Sequence, residues 1–405
     1  MRSIGRKALA AAAVVGLVAT ATSMPATARQ KSAPLKGEGR GLKIVANIGY
    51  PGGTDMEFAT IKGHDYAFAA QAPGIGGAET GGLHVINIDK PEKPKEVAFL
   101  HCALNQGDVQ ISHDKKTAYL AADSAGGPDS CLAVGKEGFL TIDIRNPKKP
   151  KAIGFAETGS SHNVTAHPTK PYVYNSTSAL APPGDIQIWS TKNPAKPKLV
   201  NTIPSLPHAP HDISFNSDGS RIVTAAISHI DIMNTEDPEN PTLASTVQCP
   251  GCSITHDAKF TPDDAGLIVG DEGGGGLPYP CPGGALYFYQ LQADVPILTG
   301  VYEPNEVILA RDGQSAPEAC TSHVFDISED GTKVSISWYS AGTRYLDVSN
   351  PVGPTFGEQG SGVVELGYFM PDGGSSWSSK MFKGPYIYSN DINRGFDVFK
   401  IEKPE

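Results

Sequence analysis

The segment His208–Val247 constrains the fold more than any other part of the chain, because it is a unit that recurs. Four short runs lie in it: His211–Phe215, Arg221–Ala226, His229–Met233 and Thr242–Val247. Each is rich in β-branched or apolar residues and roughly alternates, as half-buried strands do. Between the first two stands Asn216-Ser217-Asp218-Gly219, hairpin chemistry in which Asp-Gly supplies positive φ cheaply. Between the last two stands a turn with two prolines, Pro238 and Pro241, which forbid a continuing helix. The unit is thus a four-stranded antiparallel meander, and it fits the rest of the sequence six more times.

Aligned on the first run, the units begin at Thr54, Gly107, His162, His211, His256, His323 and Ser378. Their spacings run from 45 residues (His211 to His256) to 67 (His256 to His323), the period of propeller blades rather than of helical solenoids. A proline-spaced turn follows the third run in most units, as in Asn146–Pro150 and Asn193–Pro197, and suits the link to an outer edge strand. The last unit stops after a third-type run, Phe396–Ile401, while an orphan fourth-type run, Leu42–Gly49, opens the first. Complementary incomplete ends predict closure: an all-β, seven-bladed β-propeller whose N-terminal strand completes the last blade. Residues 42–405 form one domain in this reading, since stacked meanders share a continuous core.

Upstream, Met1–Ala28 reads as a secretory signal peptide with a basic start (Arg2, Arg6, Lys7), an apolar stretch and an Ala26-Thr27-Ala28 cleavage site. Thr20, Thr22, Ser23 and Pro25 break the apolar run too early for a membrane span of about twenty residues. Residues 29–41 read as a flexible leader, and Gly273–Gly276 as a loop tip that opens no helix. Loss of the three basic residues takes the formal charge from −10 to −13 (−10 − 3). An acidic chain without basic runs argues against nucleic acid and anionic membrane as partners. The expectation is a secreted monomer.

The two faces of such a disc differ in this sequence. Links between first and second strands are short (Ser112–Lys115, Asn216–Gly219, Thr261–Asp264, Ser328–Gly331), whereas the opposite face carries long ones such as Asp123–Gly138, Asp271–Gly284 and Glu303–Ser322. Long loops in a compact domain are usually functional, so the loop-rich face is expected to receive a small molecule or an extracellular protein. All six cysteines, Cys102, Cys131, Cys249, Cys252, Cys281 and Cys320, fall in those links. An even count in an exported chain reads as disulfides. Cys102–Cys131 is the firm pair. The other four allow either Cys252–Cys281 with Cys249–Cys320, or Cys249–Cys252 with Cys281–Cys320, and Cys249-x-x-Cys252-x-x-x-His256 also has the spacing of a thiolate metal site.

His162, His211, His256 and His323 occupy one aligned place in four successive blades, at the start of the innermost strand. A ring of blades turns that place toward the central channel, and neutral imidazoles bind copper, zinc or iron. Asp212, Asp257, Asp271, Glu272 and His208 are placed to orient the rings or to act as bases around them. The competing reading is that a His-Asp or His-Asn pair merely caps a blade edge with hydrogen bonds. Arg344 and Arg394, near the starts of third strands, offer an anion site or simply packed stems. No G-x-S-x-G, H-E-x-x-H, Walker, dinucleotide or heme-attachment motif is present.

The third-type runs with their turns, Leu83–Pro91, Leu140–Pro147 and Tyr345–Pro351, resemble the secreted LVIVD-repeat proteins, a family of predicted seven-bladed propellers. A weaker similarity runs to the selenium-binding protein/methanethiol oxidase propellers, whose inner-strand histidines also precede a hairpin with Ser, Asp and Arg, as His211 precedes Ser217-Asp218-Gly219-Ser220-Arg221. The motifs flanking those histidines are not matched, so no activity is carried over, and fold alone does not assign function. Two expectations follow: an exported transition-metal-dependent oxidoreductase, or a non-catalytic extracellular binding propeller.

Overall fold

The computed structural model describes residues 32–402, apart from positions 103, 126–130, 132–135, 178–183, 207–209, 274–280, 282, 315–316 and 353–361. The signal-peptide reading of 1–28, His208 and most of Gly273–Gly276 lie outside the described residues. The strands form seven antiparallel sheets in a ring. Blade 1 runs from Gly53 to His101, blade 2 from Leu104 to Glu157, blade 3 from Asn163 to Leu206 and blade 4 from Asp212 to Gln248. Blade 5 runs from Thr255 to Tyr302 and blade 6 from Phe325 to Pro371. Ser376–Met381, Tyr386–Asp391 and Gly395–Ile401 are the three consecutive strands of blade 7.

Closure is as the chain ends require. Strand β2 (Leu42–Ile48) pairs antiparallel with Gly395–Ile401, in register from Leu42 opposite Ile401 to Ile48 opposite Phe396. Its alternate residues Leu42, Ile44 and Ala46 are buried, so the strand belongs to the core as well as to the ladder. The leader departs from expectation. Strand β1 (Gly37–Arg40) pairs with Val364–Pro371 and adds a fifth strand to blade 6. All four of its residues are exposed, and this is why no apolar pattern announces it. It is held by backbone pairing, which polar and glycine residues supply as well as apolar ones, with two side-chain contacts, Tyr368 to Glu38 at 3.3 Å and Arg40 to Glu365 at 3.8 Å. A second departure is the helix α1 (Asn305–Arg311) in the long link before blade 6.

Packing between blades explains the length of the core. One apolar cluster joins Phe68, Leu83 and Val85 of blade 1 to Val109, Leu120 and Leu140 of blade 2; another joins Phe288 of blade 5 to Phe325, Ile336 and Leu346 of blade 6. On the channel side, polar bonds pass from blade to blade. Asp108 accepts the Val164 N–H at 2.7 Å, Asp257 the Phe325 N–H at 3.3 Å and Asp326 the Met381 N–H at 2.9 Å. The short hairpins are tied by their own side chains: Asp218 accepts the Ser220 N–H and Asn216 the Arg221 N–H.

All six cysteines are paired as Cys102–Cys131, Cys249–Cys252 and Cys281–Cys320. The first confirms the firm pair. The other two select the second of the open connectivities, so Cys252–Cys281 and Cys249–Cys320 are not formed. With both sulfurs bonded, Cys249 and Cys252 are not thiolate ligands beside His256.

Candidate metal centre

Four of the seven innermost strands begin with a local irregularity. In blade 5 the ladder slips between Thr255 and Asp257, and comparable slips sit at Gly53–Met56, Gln106–Val109 and Ser376–Ser378. A bulge re-aims side chains at the mouth of a strand, and His256 is the bulged residue in blade 5. The four aligned imidazoles form an arc. Ring centroids are 4.2 Å apart for His162–His211, 4.4 Å for His211–His256 and 4.0 Å for His256–His323.

His211, His256 and Glu272 gather ligand atoms that all lie within 4.8 Å of one another, and all three side chains are buried. Glu272, expected only to support the rings, therefore stands among the groups that could hold an ion. Its oxygens lie 3.8 Å from His256 Nε2 and 3.6 Å from His323 Nε2. These gaps are too long for hydrogen bonds. They are close to the separation of about 3.4 Å between ligands that share a tetrahedral ion with bonds of about 2.1 Å.

The flanking rings are fixed by their second nitrogens. His323 Nδ1–H donates to the Trp377 carbonyl at 2.7 Å, leaving Nε2 as the lone pair that faces Glu272. His162 Nδ1 meets Asp123 Oδ2 at 2.8 Å, and its Nε2 lies 3.2 Å from the Gln106 amide. Hydrogen bonding through one nitrogen is how metal-ligating histidines are usually oriented. His211 Nδ1 and His256 Nδ1, by contrast, are buried with no hydrogen-bond partner. Edge-capping would have satisfied those atoms. Leaving a buried polar atom unpaired costs about 1–3 kcal/mol.

Electrostatics favour ligation as well. Burial drives His211 and His256 well below the usual histidine range, and takes His323 down to about 3. All three are neutral at physiological pH, with lone pairs free. Burial pushes Glu272 up to about 8, against the lowering effect of the Tyr339 hydroxyl that donates to it at 2.6 Å. A cation would displace that proton. The other supporting acids serve the scaffold. Asp271, raised to about 6 by burial, accepts the N–H groups of Ser253 and Ile254 at 2.9 and 2.8 Å. Asp257 accepts Lys259 Nζ at 2.7 Å together with the Phe325 N–H. Asp212, raised to about 7 first by burial and then by Asp257, accepts its neighbour Ile213 N–H.

Three residues of this centre carry no sequence signal. Gln106 and Tyr339 both have positive φ, 78° and 42°, an unfavourable region for side chains of their size. Backbone strain of this kind collects at functional sites. Trp377 packs its ring 4.4 Å from that of His323. Their identities follow no motif, and only the ring of blades brings them to the histidines.

A cavity of about 510 Å³ extends from the cluster along the channel. Its walls run from His256, His323 and Trp377 to Ser217 and Pro262 in the short hairpins. This cavity therefore reaches the hairpin face; much of the loop-rich face that loop length favoured lies outside the described residues. Arg344 and Arg394 are no anion site. Arg344 is fully buried against Glu306 and Glu365, at 2.7 and 3.1 Å, and Arg394 pairs with Asp397 at 2.8 Å.

No family model matches this chain, and no curated protein matches it. Solved structures do. The β-propeller domain of Cps50 (Swd1) from Myceliophteria thermophila superposes with a TM-score of 0.63 at 9% identity, over 89% of this chain and 100% of that one. A putative 6-phosphogluconolactonase from Bacteroides uniformis gives 0.60 at 12% identity, covering 80% and 89%. A functionally unknown protein from Desulfotomaculum acetoxidans gives 0.55 at 15%, covering 77% and 88%. At such identities the likeness establishes the propeller and nothing finer.

Proposed function

We propose that this protein is an exported β-propeller of the LVIVD-repeat type that binds one transition-metal ion through His211, His256 and Glu272. His323 supplies the neighbouring lone pair, and His162 extends the arc. The observation that carries this reading is the convergence of buried, neutral imidazoles and one carboxyl at the inner end of a channel, with two ring nitrogens unpaired. Three disulfides and the Met1–Ala28 composition support export. Among the described residues no helix is long and apolar enough to cross a membrane.

Two imidazoles with a carboxylate suit iron, zinc or copper. We assign the centre to an oxidoreductase acting on a small molecule that arrives along the channel. A bound iron or copper ion would supply the redox chemistry. The chain's own part is to hold His323 and His162 by Nδ1, to present Glu272 as a carboxylate once the cation has displaced its proton, and to exclude bulk water by burial. Tyr339 steadies the Glu272 carboxyl through its hydroxyl.

The test is elemental analysis of tag-free protein made in an oxidising compartment. One transition metal per chain is expected, lost in His256→Ala and in Glu272→Gln while circular dichroism stays that of the parent. A parent that carries no metal and takes none up overturns the reading and leaves the non-catalytic binding propeller.

A further inference from the structure

The channel wall carries more carboxyl groups than cationic partners for them. Asp55, Glu57, Asp108, Asp212, Asp257 and Asp326 all line the one cavity. Only two lysines stand against them. Lys380 is used by Asp55 and Glu57, at 3.1 and 2.7 Å, and Lys259 by Asp257 at 2.7 Å. Asp108 and Asp326 are met by backbone N–H groups of the next blade, and Asp212 by the N–H of Ile213. No cationic side chain pairs with these three among the described residues. A second observation points the same way. Asp257 is 1% exposed, lies on the cavity wall, and keeps Oδ1 without a hydrogen-bond partner. Burial together with the charges of Asp55 and Asp212 raises Asp108 well above the carboxylate range, so without a cation this sector holds a proton that a bound cation would displace.

We propose that the channel binds a small organic cation, an alkylammonium with its charged head among Asp108, Asp212 and Asp257. A metal ion fits this field poorly. The described residues whose ligand atoms come close enough to share an ion are His211, His256 and Glu272, and no three channel acids form such a group. A cavity of about 510 Å³ is instead of the size that takes organic ligands. Its walls also carry Phe58, Phe215 and Phe382, and aromatic faces attract quaternary and primary ammonium groups. The inference rests on the proposed metal centre only for naming this cation as substrate; the binding itself needs no metal.

The probes are choline and its uncharged isostere 3,3-dimethylbutanol, titrated calorimetrically into full-length mature protein stripped with a chelator. Because the metal is absent throughout, failure of the metal reading leaves the result unaffected. Saturable choline binding is expected, with 3,3-dimethylbutanol at least about tenfold weaker. Asp108→Asn should weaken choline about tenfold and leave the alcohol unchanged, since the amide oxygen still accepts the Val164 N–H. If that variant melts early, Asp212→Asn serves instead, because Asp212 bonds only its own neighbour. Equal affinity for the two probes, no saturable choline binding, or a choline affinity untouched by these substitutions would overturn the proposal.

Discussion

One position, repeated around the ring, carries two chemistries. In blades 3 to 6 the innermost strand is led by His162, His211, His256 and His323; in blades 7, 1 and 2 it is led by Ser378, Thr54 and Gly107. In this second arc each hydroxyl bonds to the next blade. Ser378 Oγ donates to the Thr54 carbonyl at 3.0 Å, and Thr54 Oγ1 to the Gly107 carbonyl at 3.2 Å. These bonds stitch three blades together where the two chain ends meet, with β2 completing blade 7. The histidine arc meets that seam at its ends, through His323 to the Trp377 carbonyl and His162 to Gln106, and leaves Nδ1 of His211 and of His256 unpaired. Small hydroxyls are therefore sufficient to join neighbouring blades at this position. Four imidazoles there exceed what closure requires, and the surplus is what gives the metal reading its force.

The comparison breaks most severely at the seam. Deleting Leu42–Ile48 should remove about 5 kcal/mol, from the apolar burial of Leu42, Ile44 and Ala46 and the loss of the ladder to Gly395–Ile401. That is comparable with a whole domain's net stability, so the cooperative urea transition should disappear. A variant that unfolds like the parent would show that closure does not rest on this strand. Removing residues through Arg40 should cost far less, because β1 is exposed along its length.

The histidine arc should respond to pH instead. Glu272 has a folded-state pKa of about 8, above its ordinary 4.5. The folded chain then keeps a proton that the unfolded chain releases, so metal-free stability falls as pH rises from about 4.5 to about 8. The buried histidines act oppositely. His323 sits at about 3 against an ordinary 6.5, so its contribution is lost as pH falls from about 6.5 toward 3. Glu272→Gln in metal-free protein should raise the Tm at pH 8 more than at pH 5. Equal shifts at both pH values would remove Glu272 from the set of strained groups.

The smallest effect sharpens the contrast. Ser378→Ala deletes one inter-blade hydrogen bond and should cost about 1 kcal/mol in chemical denaturation, with the metal content of the protein unchanged. A loss of metal on this substitution would mean that the two arcs are not separate.

Much of the fold was legible because its determinants are local and repeated. Alternating runs, Asp-Gly turns such as Asp218-Gly219 and Asp330-Gly331, and proline-spaced links mark each meander, and the mismatched ends at Leu42 and Ile401 imply a ring. The aligned histidines could be read the same way, since equal places in successive blades must face one axis. Strand β1 was not legible. Gly37–Arg40 has no buried face, and backbone pairing leaves no mark on side-chain pattern.

The sequence by itself determined the number of blades, the manner of closure and the arc of His162, His211, His256 and His323, because each follows from periodicity and from short-range turn chemistry. Tertiary structure alone decided which atoms meet. Glu272 came within reach of His211 and His256 as a group that could share an ion, Asp257 and Asp271 turned to backbone N–H groups, and Tyr339, Gln106 and Trp377 joined the centre from separate blades. The disulfides were decided there too, as Cys281 lies 39 residues from Cys320 but beside it in space. Such contacts depend on bulges and on the length of inter-strand links, which set a side chain's direction to within a few ångströms and are not encoded in any repeating pattern.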